Sequence, residues 1–339
     1  MKKYFIPFIF FILIVVRTTH ADTFSITAVD PVTGWVGSAG ASCIAGCIIL
    51  SDVHPGVGVV HSQASYIAGN QNLARNYMNL GYTPQQIVDS VVAHDVQGNP
   101  TIRQYGVVDL VGGGRTAGYT GVNCTNYKGH ILGITYTIQG NILLGALVLD
   151  SMKARFLRQN GTLADKLMAA LQGGKMIGAD TRCAGMGKSS ISAFIRVAKP
   201  TDPVSGPYFC DLNVNNTTGS HDPIDSLQIL FDNWRILNAV TTITTKIPVE
   251  SQLEQNYPNP FNPMTTIDFD IAGTSGESPF VRLIIYNTLG KEVARIVEQQ
   301  LAPGKYQVHW LANNFPSGIY YYKLETDKFS ESKKMLLVK

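Results

Sequence analysis

The stretch Thr23-Phe24-Ser25-Ile26-Thr27-Ala28-Val29-Asp30 begins the folded part of this chain. It is rich in residues that favour strands, and Pro31 and Gly34 break the pattern after it. Two further strands are predicted at residues 35–42 and 56–62, before any helical spacing occurs. The larger part of the chain therefore opens with a group of strands.

Apolar residues at helical spacing follow these strands and predict a pair of helices. The second helix opens on Thr83-Pro84-Gln85-Gln86, a capping box with proline in the first turn. Strands are predicted again at residues 104–110, 116–120 and 130–139. A second helix pair follows, and one of its helices is predicted to bury Leu144, Leu147, Val148 and Met152.

Strands at residues 191–197 and 208–214 and a helix capped by Asp222 complete this region. Strands, a helix pair, strands and a helix pair is the order expected of two stacked sheets with helices on both outer faces. The predicted fold class is therefore α+β, with a four-layer αββα sandwich.

Three other segments differ from this region in composition. The first combines two lysines, a short apolar run and a final alanine, as a secretory signal peptide does. The second is Thr-rich and lacks helical spacing, and the last alternates as half-buried strands with regular turns, which predicts a small all-β, immunoglobulin-like sandwich. The predicted order is a signal peptide at 1–21, the αββα domain at 22–236, a linker at 237–252 and the β-sandwich at 253–339.

The composition argues against several kinds of partner. Lys and Arg number 27 against 24 Asp and Glu, and no basic run interleaves with aromatic residues, so nucleic acid is not expected as a partner. The apolar run near the N-terminus is too short for a typical span and no other stretch could cross a bilayer, so an integral membrane protein is not expected. Gly112-Gly113-Gly114 lacks the Lys-Ser/Thr of a phosphate loop, and no cofactor is predicted.

The chain has five cysteines, an odd number, so at least one thiol is left over or pairs between chains. Their pairing is not determined by their spacing. Cys43 and Cys47 lack the second pair that a zinc site needs. Asp52, His54 and His61 lack any ligand spacing, so no metal site is predicted.

Four motifs occur in order in the C-terminal segment. They are Asn256-Tyr257-Pro258-Asn259-Pro260-Phe261-Asn262-Pro263, Tyr286-Asn287-Thr288-Leu289-Gly290-Lys291-Glu292-Val293, Gly304-Lys305-Tyr306 and Ser317-Gly318-Ile319-Tyr320-Tyr321. This segment resembles the type A C-terminal sorting domain of the type IX secretion system. The resemblance implies the type IX secretion machinery as a partner. Together with the signal peptide, which would direct export across the inner membrane, it implies a secreted or cell-surface protein.

The larger region carries a second set of motifs, among them Thr23-Phe24-Ser25-Ile26, Gly56-Val57-Gly58, Gln104-Tyr105-Gly106-Val107-Val108-Asp109, Tyr119-Thr120-Gly121 and Gln139-Gly140-Asn141. In these it resembles the domain of unknown function 1028 family, which is grouped with the N-terminal-nucleophile (Ntn) hydrolases. The resemblance covers nearly all of residues 23–234 and implies the Ntn αββα fold that the pattern of elements also predicts. The family has no settled substrate.

Thr23 is the candidate nucleophile that this resemblance implies. Ntn hydrolases use a Thr, Ser or Cys at the start of the mature chain, because its free α-amine can take the side-chain proton during attack on an amide. Cleavage after Ala21 leaves Asp22 in front of Thr23, which then has no free amine. Either the signal is cut one residue later, or Asp22 is trimmed, or Thr23 is a strand residue chosen for its β propensity.

Other polar residues are predicted to surround Thr23. The amides of Gln139 and Asn141 suit an oxyanion site, although Asn141 could instead cap the following helix. Ser25 is predicted to share a face with Thr23 and to contact substrate. His61 and Gln63 end a strand that is expected to neighbour the first, and both are predicted to bind substrate, with a purely structural histidine as the alternative.

Two hypotheses of function follow. The first is an exported Ntn-type amidohydrolase that cleaves an amide bond in a peptide or small acylated compound. The second is a non-catalytic secreted or cell-surface binding protein on the same scaffold. The residue at the start of the mature chain distinguishes them.

Overall fold

A computed structural model describes residues 19–21, 23–238, 240–274, 276–312 and 315–339. The chain divides into two compact units between Leu230 and Phe231. The predicted signal peptide lies outside the described residues except for residues 19–21, and Asp22 lies outside them as well. The predicted boundaries at residues 236 and 252 stay predictions.

Strands and helices alternate in blocks along the chain as far as Asn238. The strands are β1 (Thr19–Ala21), β2 (Thr23–Asp30), β3 (Trp35–Ser42), β4 (Ser51–His54), β5 (Gly58–Tyr66), β6 (Arg103–Asp109), β7 (Arg115–Thr120), β8 (Gly129–Leu132), β9 (Tyr136–Gly140), β10 (Ser192–Ala198) and β11 (Cys210–Val214). The helices are α1 (Ala68–Asn79), α2 (Pro84–Ala93), α3 (Ala146–Arg158), α4 (Leu163–Gly174) and α5 (Pro223–Asn238).

Two antiparallel sheets form the framework of the first unit. The strand order of the first sheet is β1-β5-β6-β7, and β4 also pairs with β5. The order of the second sheet is β11-β10-β3-β2-β9-β8. The strand that starts at Thr23 is β2, which lies between β3 and β9 inside its sheet. The predicted mixture of sheets and helices is confirmed.

The two sheets contact each other, and helices pack against both. Strand β2 contacts β5 and β6, and β9 contacts β6 and β7. Helix α1 packs against β5 and α2 against β6 and β7, whereas α4 packs against β2, β3 and β10, and α3 against α4 and β9. The polar ends of β2, β5, β6 and β9 are thereby enclosed between the sheets.

Helix α2 begins as its sequence predicts. The Thr83 hydroxyl accepts a hydrogen bond from the Gln86 backbone N–H at 3.2 Å, and the Gln86 side chain accepts one from the Thr83 N–H at 2.9 Å. This capping box satisfies two N–H groups that the first turn leaves without helical partners. The apolar face of the helix then buries Ile87, Val88 and Val91.

The predicted buried face of the third helix is wrong in part. Leu144 precedes α3, and Leu144 and Leu147 are 58% and 64% exposed. The buried residues are Val148, Leu149, Met152 and Phe156. Apolar residues four apart continue along this face to Phe156, which packs against the Tyr136 ring. The prediction counted both leucines because they are apolar, although Leu144 lies before the first turn of α3 and Leu147 lies outside its buried face.

After α5, the elements of the second unit that the structure describes are strands. They are β12 (Thr241–Thr244), β13 (Gln252–Leu253), β14 (Met264–Ile271), β15 (Phe280–Asn287), β16 (Glu292–Gln300), β17 (Gly304–Leu311), β18 (Gly318–Glu325) and β19 (Ser330–Leu337). Sheets of order β12-β17-β14-β13 and β16-β15-β18-β19 share one apolar core, which includes Phe269, Ile285 and Tyr322. The predicted β-sandwich is confirmed.

Asn256 opens the first motif of this unit and is buried inside it. Its amide donates to the Thr265 hydroxyl at 2.8 Å and to the Pro258 carbonyl at 3.1 Å. Its backbone N–H donates to the Tyr322 hydroxyl at 2.8 Å. The motif therefore has a structural role in joining the lead-in segment to the sandwich.

Among the residues that the structure describes, no helix is both long and apolar enough to cross a membrane.

Candidate functional site

The start of β2 is attached to both sheets through one carbonyl group. The Thr23 carbonyl accepts a hydrogen bond from the Gln63 side chain at 3.3 Å and from the Asn141 backbone N–H at 3.2 Å. Gln63 belongs to β5 in the first sheet, and Asn141 directly follows β9 in the second. Thr23 itself is fully buried when the segment before it is present. The backbone at the candidate nucleophile is thus fixed between the sheets.

Ser25 lies two residues further along β2, and its hydroxyl group is the centre of a buried cluster. It donates to Gln63 Oε1 at 2.6 Å and accepts from Gln139 Nε2 at 2.8 Å. His61 Nδ1 lies 2.9 Å from the same oxygen. The side chains of Ser25, His61, Gln63 and Gln139 are all fully buried. These predicted residues therefore form one hydrogen-bonded unit.

His61 is neutral in this environment. Burial, helped by the positive charge of Arg196 and opposed by the charge of Asp52, lowers its pKa to about 3. Its Nε2 atom is buried without a hydrogen-bond partner among the described residues. The ring packs against Phe194, with 5.9 Å between ring centres. An imidazole with so low a pKa is a weak base near neutral pH.

Gln104 joins the cluster to the segment after β9. Its Oε1 atom accepts from Gln63 Nε2 at 2.7 Å and from Asn141 Nδ2 at 3.1 Å. Its Nε2 atom donates to the Thr120 hydroxyl at 2.8 Å and to the Gly140 carbonyl at 3.0 Å. Asn141 Oδ1 is buried and has no hydrogen-bond partner among the described residues. The residue whose backbone N–H is bonded to the Thr23 carbonyl thus carries a buried acceptor that is unsatisfied among the described residues.

Gly106 allows the two sheets to approach at this cluster. A Cβ atom at that position would lie 2.1 Å from Gln139 Oε1 and 2.5 Å from Thr137 Oγ1. The Thr137 hydroxyl donates to that same Oε1 atom at 2.8 Å. Because no side chain fits between β6 and the Gln139 amide, glycine is the only residue that leaves this contact undisturbed.

Two residues beside the cluster have unusual backbone conformations. Ala64 has φ 68° and Ile142 has φ 54°, in the left-handed region that non-glycine residues avoid. Ala64 directly follows Gln63, and Ile142 directly follows Asn141. Strained backbone of this kind is concentrated at functional sites, where surrounding structure maintains it.

A disulfide bond lies close to the start of β2. It joins Cys43, which follows β3, to Cys183, and Ser42 of β3 is paired with Thr23. The buried Asp180 carboxylate accepts a hydrogen bond from the Cys43 N–H at 2.9 Å and pairs with Arg182 at 2.6 Å. These contacts fix the chain beside the site.

The remaining cysteines, Cys47, Cys124 and Cys210, are buried and lie outside this disulfide. Three cysteines outside this disulfide agree with the prediction that at least one thiol is left over or pairs between chains. Burial raises the pKa of the Cys47 thiol to about 12, so it is protonated and unreactive at neutral pH. In the described part of the chain, no group of three or more His, Cys, Asp or Glu residues is arranged to hold a metal ion.

The structure brings all six predicted site residues, Thr23, Ser25, His61, Gln63, Gln139 and Asn141, into one network. Their assignment to catalysis or substrate binding stays a prediction. The alternative of Asn141 as a helix cap is wrong, because Gly145 is the residue that precedes α3. Gln104 was missed as a site residue. The signal that could have identified it is an uncharged polar side chain within a predicted strand, at the start of one of the motifs that carry the family resemblance.

Comparisons with known proteins agree with both resemblances seen in the sequence. A model described as "Family of unknown function (DUF1028)" matches residues 23–227. A model described as "Secretion system C-terminal sorting domain" matches residues 255–339. No curated protein was found to match the chain.

Among the solved structures that match, one from the same family is similar to the larger region. It is the crystal structure of protein SPO2555 from Silicibacter pomeroyi, which carries the same family model. The two sequences are 25% identical, and the TM-score is 0.53. The match covers 63% of this chain and 89% of the other.

Proposed function

The chain belongs to the DUF1028 family of unknown function, and we propose that its family domain is an Ntn-type amidohydrolase with Thr23 as the nucleophile. The substrate would be an amide bond in a peptide or a small acylated compound. The C-terminal sorting domain indicates handling by the type IX secretion machinery and a secreted or cell-surface location. The proposed fold of the family domain is the αββα sandwich of Ntn hydrolases, with helices on both outer faces of the paired sheets.

The observation that carries this proposal is the environment of Thr23. It is the first residue of an internal strand, and its carbonyl is fixed by Gln63 and by the Asn141 backbone. A nucleophile held by two elements meets its target with little loss of orientational freedom. Removal of the residues before Thr23 would give it a free amine in this fixed position.

The proposed reaction then proceeds through a covalent ester. The free α-amine takes the proton of the Thr23 hydroxyl as Oγ1 attacks the amide carbonyl carbon. The protonated amine gives that proton to the leaving nitrogen when the carbon–nitrogen bond breaks. Water then hydrolyses the ester, which releases the carboxylic acid and restores the hydroxyl.

Asn141 is better placed than Gln139 to stabilise the oxyanion in this proposal. The Asn141 backbone contacts Thr23 directly, and among the described residues its side-chain amide donates to Gln104 Oε1. The Gln139 amide group already donates to Ser25 Oγ and lies 3.2 Å from His61 Nδ1. Because the Gln139 amide is bonded to Ser25, its contribution would be to position that residue.

A specific observation also supports the alternative of a binding protein. Thr23 and its predicted partners are fully buried, and most polar atoms of the network have partners within it. A closed network of this kind can have a purely structural role, which is to hold two sheets in register. Under this alternative, removal of the Thr23 hydroxyl would leave the protein's binding properties unchanged.

Activity of the processed protein tests the proposal. Thr23→Ala and Thr23→Ser variants are compared with wild type on a panel of peptide amides and N-acyl compounds. Loss of the nucleophile is expected to lower kcat by on the order of a thousandfold or more, while the serine variant keeps measurable turnover. Thr116→Ala serves as a matched control, because it also removes a threonine hydroxyl from a strand. That hydroxyl donates to the Gly133 carbonyl. Wild-type turnover by Thr23→Ala would refute the assignment.

A further inference from the structure

Strand β1 covers an edge of the first sheet beside Thr23. It pairs antiparallel with β5, in the register Thr19 with Tyr66, His20 with Ser65 and Ala21 with Ala64. The opposite side of β5 pairs with β6, and β4 covers only its first part, from Gly58 to His61. Among the described strands, β1 is therefore the one that covers β5 at residues 64–66.

This strand belongs to the segment that the predicted signal cleavage removes. Cleavage after Ala21 takes the whole of β1 and leaves the β5 edge without a partner. An unpaired edge is a template for another extended chain, because its N–H and C=O groups point outward. In the mature protein, the edge next to Thr23 would be available to a ligand.

The position of β1 relative to Thr23 defines which end of a bound peptide would reach Thr23. Only one residue separates Ala21 from Thr23. Ala21 pairs with Ala64, which directly follows Gln63, and the Gln63 side chain bonds to the Thr23 carbonyl. A peptide in the place of β1 therefore runs toward Thr23, and its next carbonyl group would arrive at that residue.

The edge is held rigidly from within the sheet. The Arg103 side chain of β6 donates to the Ser65 carbonyl and forms a fully buried ion pair with Asp95 at 2.8 Å. Groups on successive residues of an antiparallel strand alternate in direction. Because the Ser65 carbonyl is bonded to Arg103 of β6, we expect the flanking residues, Ala64 and Tyr66, to present their backbone groups to β1. Ala64 also has the left-handed backbone described above, which the surrounding contacts maintain.

From these contacts we propose that mature protein binds an extended peptide along Ala64–Tyr66, with the peptide's carbonyl end at Thr23. The inference rests on the proposed function for the chemistry and deepens it by naming the substrate class. The substrate is an unfolded peptide segment, recognised chiefly through its backbone on the acyl side of the scissile bond. Small acylated compounds without this backbone would be poor substrates.

Backbone methylation of a peptide tests this inference without altering the protein. The probe is a dye-labelled Thr-His-Ala-Asp acid, whose sequence matches residues 19–22, added to the processed full-length protein. Methylation of the alanine nitrogen removes a donor that faces Ala64, and is expected to weaken binding about tenfold. Methylation of the histidine nitrogen, which faces away from β5, is the matched control and is expected to change binding less than twofold.

Several results would overturn the inference. They are no binding of the parent peptide, equal effects of the two methyl groups, and a processed protein that still retains residues 19–21. An aminocoumarin amide of the same peptide separates this inference from the proposed function. Specific binding without hydrolysis would support the edge site and refute the hydrolase. Hydrolysis of small acyl amides at the same rate as the peptide would support the hydrolase and refute the edge site.

Discussion

Ser25 has a single hydroxyl proton, and the destination of that proton limits what the residue can do. The proton is donated to Gln63 Oε1 at 2.6 Å, while Gln139 Nε2 donates to the same hydroxyl oxygen. Gln63 in turn donates to the Thr23 carbonyl. Ser25 is therefore placed to orient Gln63 and, through it, Thr23. This positioning role is different from that of a nucleophile, which must give its proton to a base.

Gly106 offers a test of the contact between the sheets at the residue scale. Gly106→Ala would place a methyl group 2.1 Å from Gln139 Oε1, so the amide or the strand must move. Overpacking of this kind is expected to lower the free energy of unfolding by roughly 1–3 kcal/mol, as measured by urea denaturation. Gly185→Ala is the control, because a methyl group there meets nothing within 4 Å. Equal stabilities of the two variants would contradict the described packing.

At the scale of elements, β2 is the strand on which the site depends. Its start is paired with the end of β3, where Ser42 lies opposite Thr23. The next residue, Cys43, is joined to Cys183. The disulfide therefore fixes the end of β3 next to the start of β2, and it closes a loop between residues 140 positions apart in the sequence.

The disulfide should contribute strongly to stability because this loop is long. The chain-entropy model gives about 5 kcal/mol for a loop of this length. Treatment with a reductant is expected to lower the urea midpoint of the wild type clearly. A Cys43→Ser/Cys183→Ser double variant should start at the lower midpoint and not respond to the reductant. An unchanged wild-type midpoint under reducing conditions would show that the bond is absent or without effect.

The sequence predicts elements of this fold better than contacts between them. The Thr83 cap was predictable because a capping box lies within four consecutive residues. The hydrogen bond from Ser25 to Gln63 spans 38 residues and depends on how one sheet lies on the other. Strand alternation indicates the face of a side chain but not its partner across the sheets. The disulfide was unpredictable for the same reason, since its cysteines are far apart in the chain.

At the scale of the whole molecule, the sorting domain and the region of the proposed chemistry are different parts of the chain. The C-terminal sandwich carries the sorting-domain match, and the DUF1028 match lies in the region that holds the buried network. Both the proposed catalysis and the proposed peptide site depend on the other end of the chain. There, β1 precedes Thr23 with one residue between them, and this segment must be removed for either function.

The mature N-terminus of the secreted protein tests the central claim most directly. Intact mass and N-terminal sequencing are carried out on protein recovered outside the cell after processing is complete. The account predicts that Thr23 is the first residue and that residues 19–22 have been removed. Retention of Asp22 in the fully processed protein would contradict it, because Thr23 would then carry a peptide nitrogen in place of the free amine that the mechanism requires.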